Sequence, residues 1–175
     1  MIFMNISTFI RCLIRRLRKG QAEERIHHFV FIAAPIETVY REIIAWVQSD
    51  WWPRKSALRV FQEAPSYLNA GIKFDVALRG FKAPRWHVEI TKITQEKEIE
   101  FTFFADRFQG RGAVNLESRV NGTRVDYEIF YNLTGLKNTL AWTLCYERVY
   151  NKSIKHFLNS LLVYLQKREK KAKQQ

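Results

Sequence analysis

The stretch at residues 26–46 constrains this chain more than any other. IHHFVFIAAPIETVYREIIAW reads as a strand, a proline and then an amphipathic helix. Ile26 to Ala33 is apolar and β-branched enough for a strand. Pro35 suits the first turn of a helix, where its missing N–H costs nothing. Glu37 then complements the positive end of the helix dipole. Ile36, Val39, Tyr40, Ile43, Ile44 and Val47 recur at three- and four-residue spacing, which gives the helix one apolar face.

Asp50-Trp51-Trp52-Pro53-Arg54 follows, and Pro53 ends or kinks the helical path. The segment predicts a short second helix capped by aromatics, its adjacent tryptophans pointing in different directions rather than into one pocket. Strands come next. Ala57–Glu63 is the first. Ile72, Phe74, Val76 and Leu78 then alternate with polar or small neighbours, as do Trp86, Val88 and Ile90. The same period recurs in Ile99, Phe101, Phe103 and Ala105, in Val114 and Leu116, and in Val125, Tyr127, Ile129 and Tyr131. Period two with one apolar face predicts an antiparallel sheet solvated on one side. Turns are expected at Gly80 to Pro84, Gln95-Glu96-Lys97, Gln109-Gly110 and Asn121-Gly122, the last being a strong hairpin signal.

Thr139 to about Lys170 predicts one long helix. Advancing ~100° per residue from Ile154 brings Leu140, Thr143, Glu147, Tyr150, Phe157, Leu158, Leu161 and Leu165 within ~60° of one line. The C-terminal half is an apolar stripe. The N-terminal half, with Thr143, Glu147 and Tyr150, is mixed and suits the border of a cavity.

The strand–AAPIETVY–helix opening, WWP, a six-strand antiparallel run with NGTRVDYE late in it, and a long final helix resemble the START-like superfamily. That group includes polyketide cyclases, plant pathogenesis-related (Bet v 1-like) allergens and lipid-transfer domains, also called SRPBCC proteins. The resemblance spans about residues 26–166. It implies an α+β helix-grip fold, in which a curved antiparallel sheet of about seven strands wraps a long C-terminal helix around an apolar cavity. The expected organisation is a basic amphipathic N-terminal extension over 1–25, a ligand-binding domain over 26–168 and a basic tail over 169–175. By that resemblance Phe74, Val76, Leu78, Trp86, Val88, Phe101, Phe103, Val114, Tyr127, Ile129, Tyr131, Thr143, Tyr150 and Ile154 become pocket candidates.

The net charge of +12 is concentrated at the ends. Residues 1–25 carry six Lys/Arg against two Glu, and 152–175 carry seven against one, while the middle is nearly neutral. A basic groove across the body is therefore not expected, and nucleic acid is an unlikely partner. Ile2, Ile6, Phe9, Ile10, Leu13, Ile14 and Leu17 mark one helical face flanked by arginines, which can lie on an anionic membrane surface or pack on protein. The positive charges follow this apolar run rather than precede it, unlike a secretory signal. Cys12 and Cys145 are isolated thiols that suit a reducing, cytoplasmic location, with the protein soluble or peripheral at a membrane.

No glycine-rich phosphate loop, metal-spaced His/Cys cluster or nucleophile elbow is present, so neither a cofactor nor a metal is expected. His27 and His28 are strand neighbours that point to opposite faces. Catalysis would have to come from isolated polar groups in the cavity. Glu147 is the best candidate, because a carboxylate facing an apolar interior has its pKa raised and can act as general acid or base. Three functions stay open. One is binding or transport of a lipid- or polyketide-like molecule. Another is a cyclase- or dehydratase-like reaction using Glu147. The third is a surface-docking module for membrane or RNA with a closed core.

Overall fold

The computed structural model describes residues 23–46, 49–53, 56–61, 67–79, 84–105 and 108–172. The apolar run at 2–17, Cys12, Val47, Arg54, Gly80 and the tail beyond 172 lie outside them. The elements in chain order are β1 (Glu24–Ile32), α1 (Ile36–Ile44), β2 (Leu58–Phe61), β3 (Lys73–Leu78), β4 (Arg85–Thr94), β5 (Glu98–Ala105), β6 (Phe108–Arg119) and β7 (Gly122–Leu133). A short helix α2 (Leu136–Ala141), a π-helical turn (Trp142–Tyr146) and the long α3 (Glu147–Ala172) complete the chain. All seven strands form one antiparallel sheet in the order β1-β7-β6-β5-β4-β3-β2. It curls into a half-barrel around α3, an α+β helix grip. The meander from β2 to β7 is continuous, and β1 closes the far edge by pairing with β7 from Glu24↔Tyr131 to Ile32↔Thr123.

Alternation decides which side chains enter the grip. On β1, Ile26 and Ile32 are buried while Arg25, His27, Phe29 and Phe31 face outward. His27 bonds Asp126 on the outer face at 2.7 Å, and His28 reaches Asn151 of α3 on the inner one. The carbonyl of Pro35 accepts from the N–H groups of Thr38 and Val39, so the proline caps α1 rather than interrupting it. Glu42 on the buried side of α1 is held by Arg168 of α3. These contacts fix α1 and α3 relative to each other.

The structure corrects the sequence reading in several places. Residues 49–53 form no helix. Trp51 and Trp52 both pack on the Phe157 ring, at 4.8 and 5.0 Å between ring centroids, yet line different pockets, in keeping with their expected divergence. The first short strand is confined to 58–61 within the described residues. Gln109-Gly110 is not a turn: β6 already begins at Phe108, and Gly110 pairs with Phe103 and Tyr131. The late hairpin turns through Val120-Asn121, with Gly122 the first residue of β7. A Cβ on Gly122 would stand 2.2 Å from the Ile32 carbonyl oxygen, so close approach of β1 requires the glycine. The final helix runs as one body from Leu136 to Ala172 and carries a π-helical turn at Trp142–Tyr146.

Candidate functional site: a cavity between sheet and helix

Between the concave face of the sheet and α3 lies a cavity of about 120 Å³. Its wall is almost wholly apolar. β3 contributes Phe74 and Val76, β4 Trp86 and Val88, β5 Phe101 and Phe103, β6 Val114 and β7 Tyr127. From α3 come Tyr150 and Ile154. The period-two pattern places these strand residues on one face, and the i, i+4 spacing stacks the two helix residues.

Two glycines help keep this space open. Gly110 pairs with Phe103 and Gly112 with Phe101 across β5 and β6. A Cβ on Gly110 would meet the Phe103 ring at 2.6 Å, and one on Gly112 would meet the Phe101 ring at 2.4 Å. Each ring therefore lies down over bare backbone instead of standing up into the interior. One end of the cavity is an aromatic cluster in which Trp46 packs against Trp52 at 4.5 Å and Phe74 at 5.4 Å. The other end is closed by Trp86 and Phe108, 5.7 Å apart, with Trp142 stacked on Phe108 at 4.5 Å.

Polar groups on the wall are few. The phenol oxygens of Tyr127 and Tyr150 are 2.5 Å apart and share one hydrogen bond. Burial pushes both phenols above the ordinary tyrosine range, so both stay neutral. The indole N–H of Trp46, also on the wall, is buried with no acceptor among the described residues.

Leu78, Ile129 and Tyr131 are buried but do not border the cavity. Tyr131 belongs to the closing end, where its hydroxyl accepts from the Trp142 indole N–H at 3.2 Å. Thr143 and Glu147 also stand off the cavity wall, which corrects the expected polar border. The π-helical turn is the reason at position 143. A π turn holds one residue more than an α turn, and this advances the inner face from Thr143 to Trp142, which is 3% exposed. Glu147 remains on the Ile154 face but lies beyond Tyr150, past the cavity's end. Its backbone carbonyl accepts from the Asn151 side chain.

Several wall residues escaped the sequence reading: Trp46, Trp52 and Phe108 above all. Trp46 extends the α1 periodicity three residues past Ile43 and could have been found that way. Phe108 was hidden by reading Gln109-Gly110 as a turn. Among the described residues no group of His, Cys, Asp and Glu could hold a metal ion, and no helix is long and apolar enough to cross a membrane.

No protein-family model matches this chain, and no curated protein matches it by sequence. Solved structures do. Norcoclaurine synthase from Thalictrum flavum, in complex with dopamine and hydroxybenzaldehyde, superposes with a TM-score of 0.62 at 8% identity, covering 86% of this chain and 90% of that one. The Aha1 dimer of Colwellia psychrerythraea matches at a TM-score of 0.55 and 18% identity over 81% of this chain and 96% of that one. A Mesorhizobium loti protein matches at 0.57 and 12% identity over 82% and 98%. The fold is that of the START-like, or Bet v 1-like, proteins. At these identities the likeness concerns the fold alone.

Proposed function

We propose that this protein binds a compact apolar small molecule in the cavity between the sheet and α3. The observation that carries the reading is the cavity itself: about 120 Å³ of space inside an otherwise packed core, walled by aromatic and aliphatic side chains. Protein interiors are normally packed to the density of organic crystals. A cavity of roughly 150 Å³ lined by apolar side chains stays dry and accepts a molecule the size of benzene. A neighbour of the same fold holds dopamine and hydroxybenzaldehyde, ligands of the same scale. Long acyl chains fit this volume poorly, which favours a single-ring ligand over a lipid. Residues 26–168 would form the binding body. Glu147 has no part in the reading, because it stands off the cavity wall.

Native mass spectrometry of the purified chain, alone and with small aromatic probes, tests the proposal. Retention of one probe molecule is expected, lost when Val88→Trp fills the cavity. A chain that takes up no probe at any concentration would instead be a closed core, as the surface-docking alternative requires.

A further inference from the structure

Among the described residues the wall is apolar except where it offers hydrogen-bond donors, and those donors outnumber the acceptors available to them. Two phenols bring two hydroxyl protons. One proton lies in the 2.5 Å contact between Tyr127 and Tyr150. The other has no acceptor, because neither oxygen has a further hydrogen-bond partner among the described residues. The Trp46 indole N–H is a second buried donor without an acceptor among the described residues. A buried proton left unbonded is costly, more so than an unused lone pair. Among the described residues the wall carries no Lys, Arg, His, Asp or Glu to serve as counter-charge for an ionised group inside it.

We infer that the occupant is an uncharged single-ring molecule carrying a hydrogen-bond-accepting oxygen, such as a ketone or aldehyde carbonyl, which takes the free proton of the Tyr127–Tyr150 pair. This rests on the binding reading above and adds its chemical selectivity. The two tyrosines come from β7 and α3, one from each jaw of the grip. The acceptor is therefore held where sheet and helix meet. Burial keeps both phenols protonated across the physiological range, so the pair donates to a carbonyl rather than standing there as a phenolate. A carboxylate of the same size would be excluded, since two neutral hydroxyls do not replace the water around a full charge.

Acetophenone, cumene and benzoate match in heavy-atom count and differ in the group presented. Calorimetric titration of the full chain at neutral pH with each of the three tests the inference, repeated with the double variant Tyr127→Phe/Tyr150→Phe. The ratio of acetophenone to cumene affinity should fall roughly tenfold in the double variant, with cumene binding unchanged or tighter and benzoate not binding either form. In the native chain the carbonyl stretch of bound acetophenone should also lie at lower frequency than in cyclohexane, a readout that needs no variant to fold. An unshifted carbonyl band, an unchanged affinity ratio, or benzoate binding as tightly as acetophenone would overturn the inference and leave the binding proposal standing. Failure of all three molecules to bind the native chain would overturn both.

Discussion

Gly110 and Gly112 show how much of this site depends on side chains that are missing. Their bare backbones receive the rings of Phe103 and Phe101, and the two positions differ in what a methyl group would strike. At Gly110 a Cβ would stand 2.0 Å from the Phe130 carbonyl oxygen, which is strand backbone and cannot move aside. At Gly112 the obstacles are the Phe101 ring and the Ile129 Cγ2, 2.4 and 2.7 Å away, and a ring can swing into the cavity. Gly110→Ala should therefore cost about 3 kcal/mol and Gly112→Ala about 1 kcal/mol, read as shifts in denaturant midpoint at constant m-value. Gly112→Ala should also weaken uptake of small aromatic probes, because the displaced ring occupies their space. Equal costs at the two sites would contradict this account. The glycines also explain a misreading. In a one-dimensional pattern Gln109-Gly110 looks like a turn, because glycine most often serves backbone freedom. Its other use, letting a neighbour approach closely, is visible only once β5 lies beside β6. Phe74, Val76, Trp86, Val88, Phe101, Phe103, Val114 and Tyr127 were legible as lining residues in advance, because alternation alone assigns a face, whereas Phe108 was not.

At the scale of elements, the antiparallel run of strands and the final helix followed from periodicity and turn spacing, and the π-helical turn within that helix did not. Trp142–Tyr146 is WTLCY, with no proline or glycine to mark a break, so a uniform ~100° advance runs straight through it. The π turn is favoured by tertiary contacts: it lets Trp142 stack on Phe108 and donate to Tyr131, which an unbroken α-helix would give up for Thr143. The joint between α1 and α3 was equally unreadable, since Glu42 and Arg168 are 126 positions apart. Glu42 is 8% exposed and leans on Arg168, with a weaker bond from Ser49 at 3.3 Å. Removing the cation leaves a largely buried carboxylate short of partners. Arg168→Met should cost about 2 kcal/mol, while adding Glu42→Gln should recover part of the loss. A double-mutant cycle by urea unfolding measures this coupling. If the two changes are simply additive, the pair does not join the helices.

For the molecule as a whole, the grip closes along the seam where β1 meets α3, and His28 sits in that seam. Its Nε2 donates to the Asn151 side-chain oxygen at 2.7 Å. Burial is the main influence on the ring and lowers its pKa. The bond to Asn151 opposes that shift, and the charges of Lys155 and His27 reinforce it, leaving a value below the usual 6.5. The folded state thus prefers the neutral ring. Its contribution is fully present above about 6.5 and is lost as pH falls through the lowered folded value. The carboxylates act in a separate, more acidic window. The hydrogen bond from Arg124 holds Asp126 below its ordinary 3.8 against the effect of burial, with His27 assisting. At Asp75 burial works against the charge, but the hydrogen bonds from Arg85 and His87 outweigh it and lower the pKa. These groups contribute above 3.8 and lose that contribution only as pH drops through their depressed values. A chain that carries +12 at pH 7 gains positive charge at every step of acidification, so self-repulsion adds to both losses. The melting temperature should therefore decline in two stages, a shallow one beginning near pH 6.5 and a steep one below pH 4. His28→Gln keeps an amide donor within reach of Asn151 but cannot titrate. It should flatten the slope between pH 7 and pH 5 relative to the native chain and leave the acid limb unchanged. Parallel melting curves for the two proteins across that interval would mean that the seam does not sense the protonation of His28.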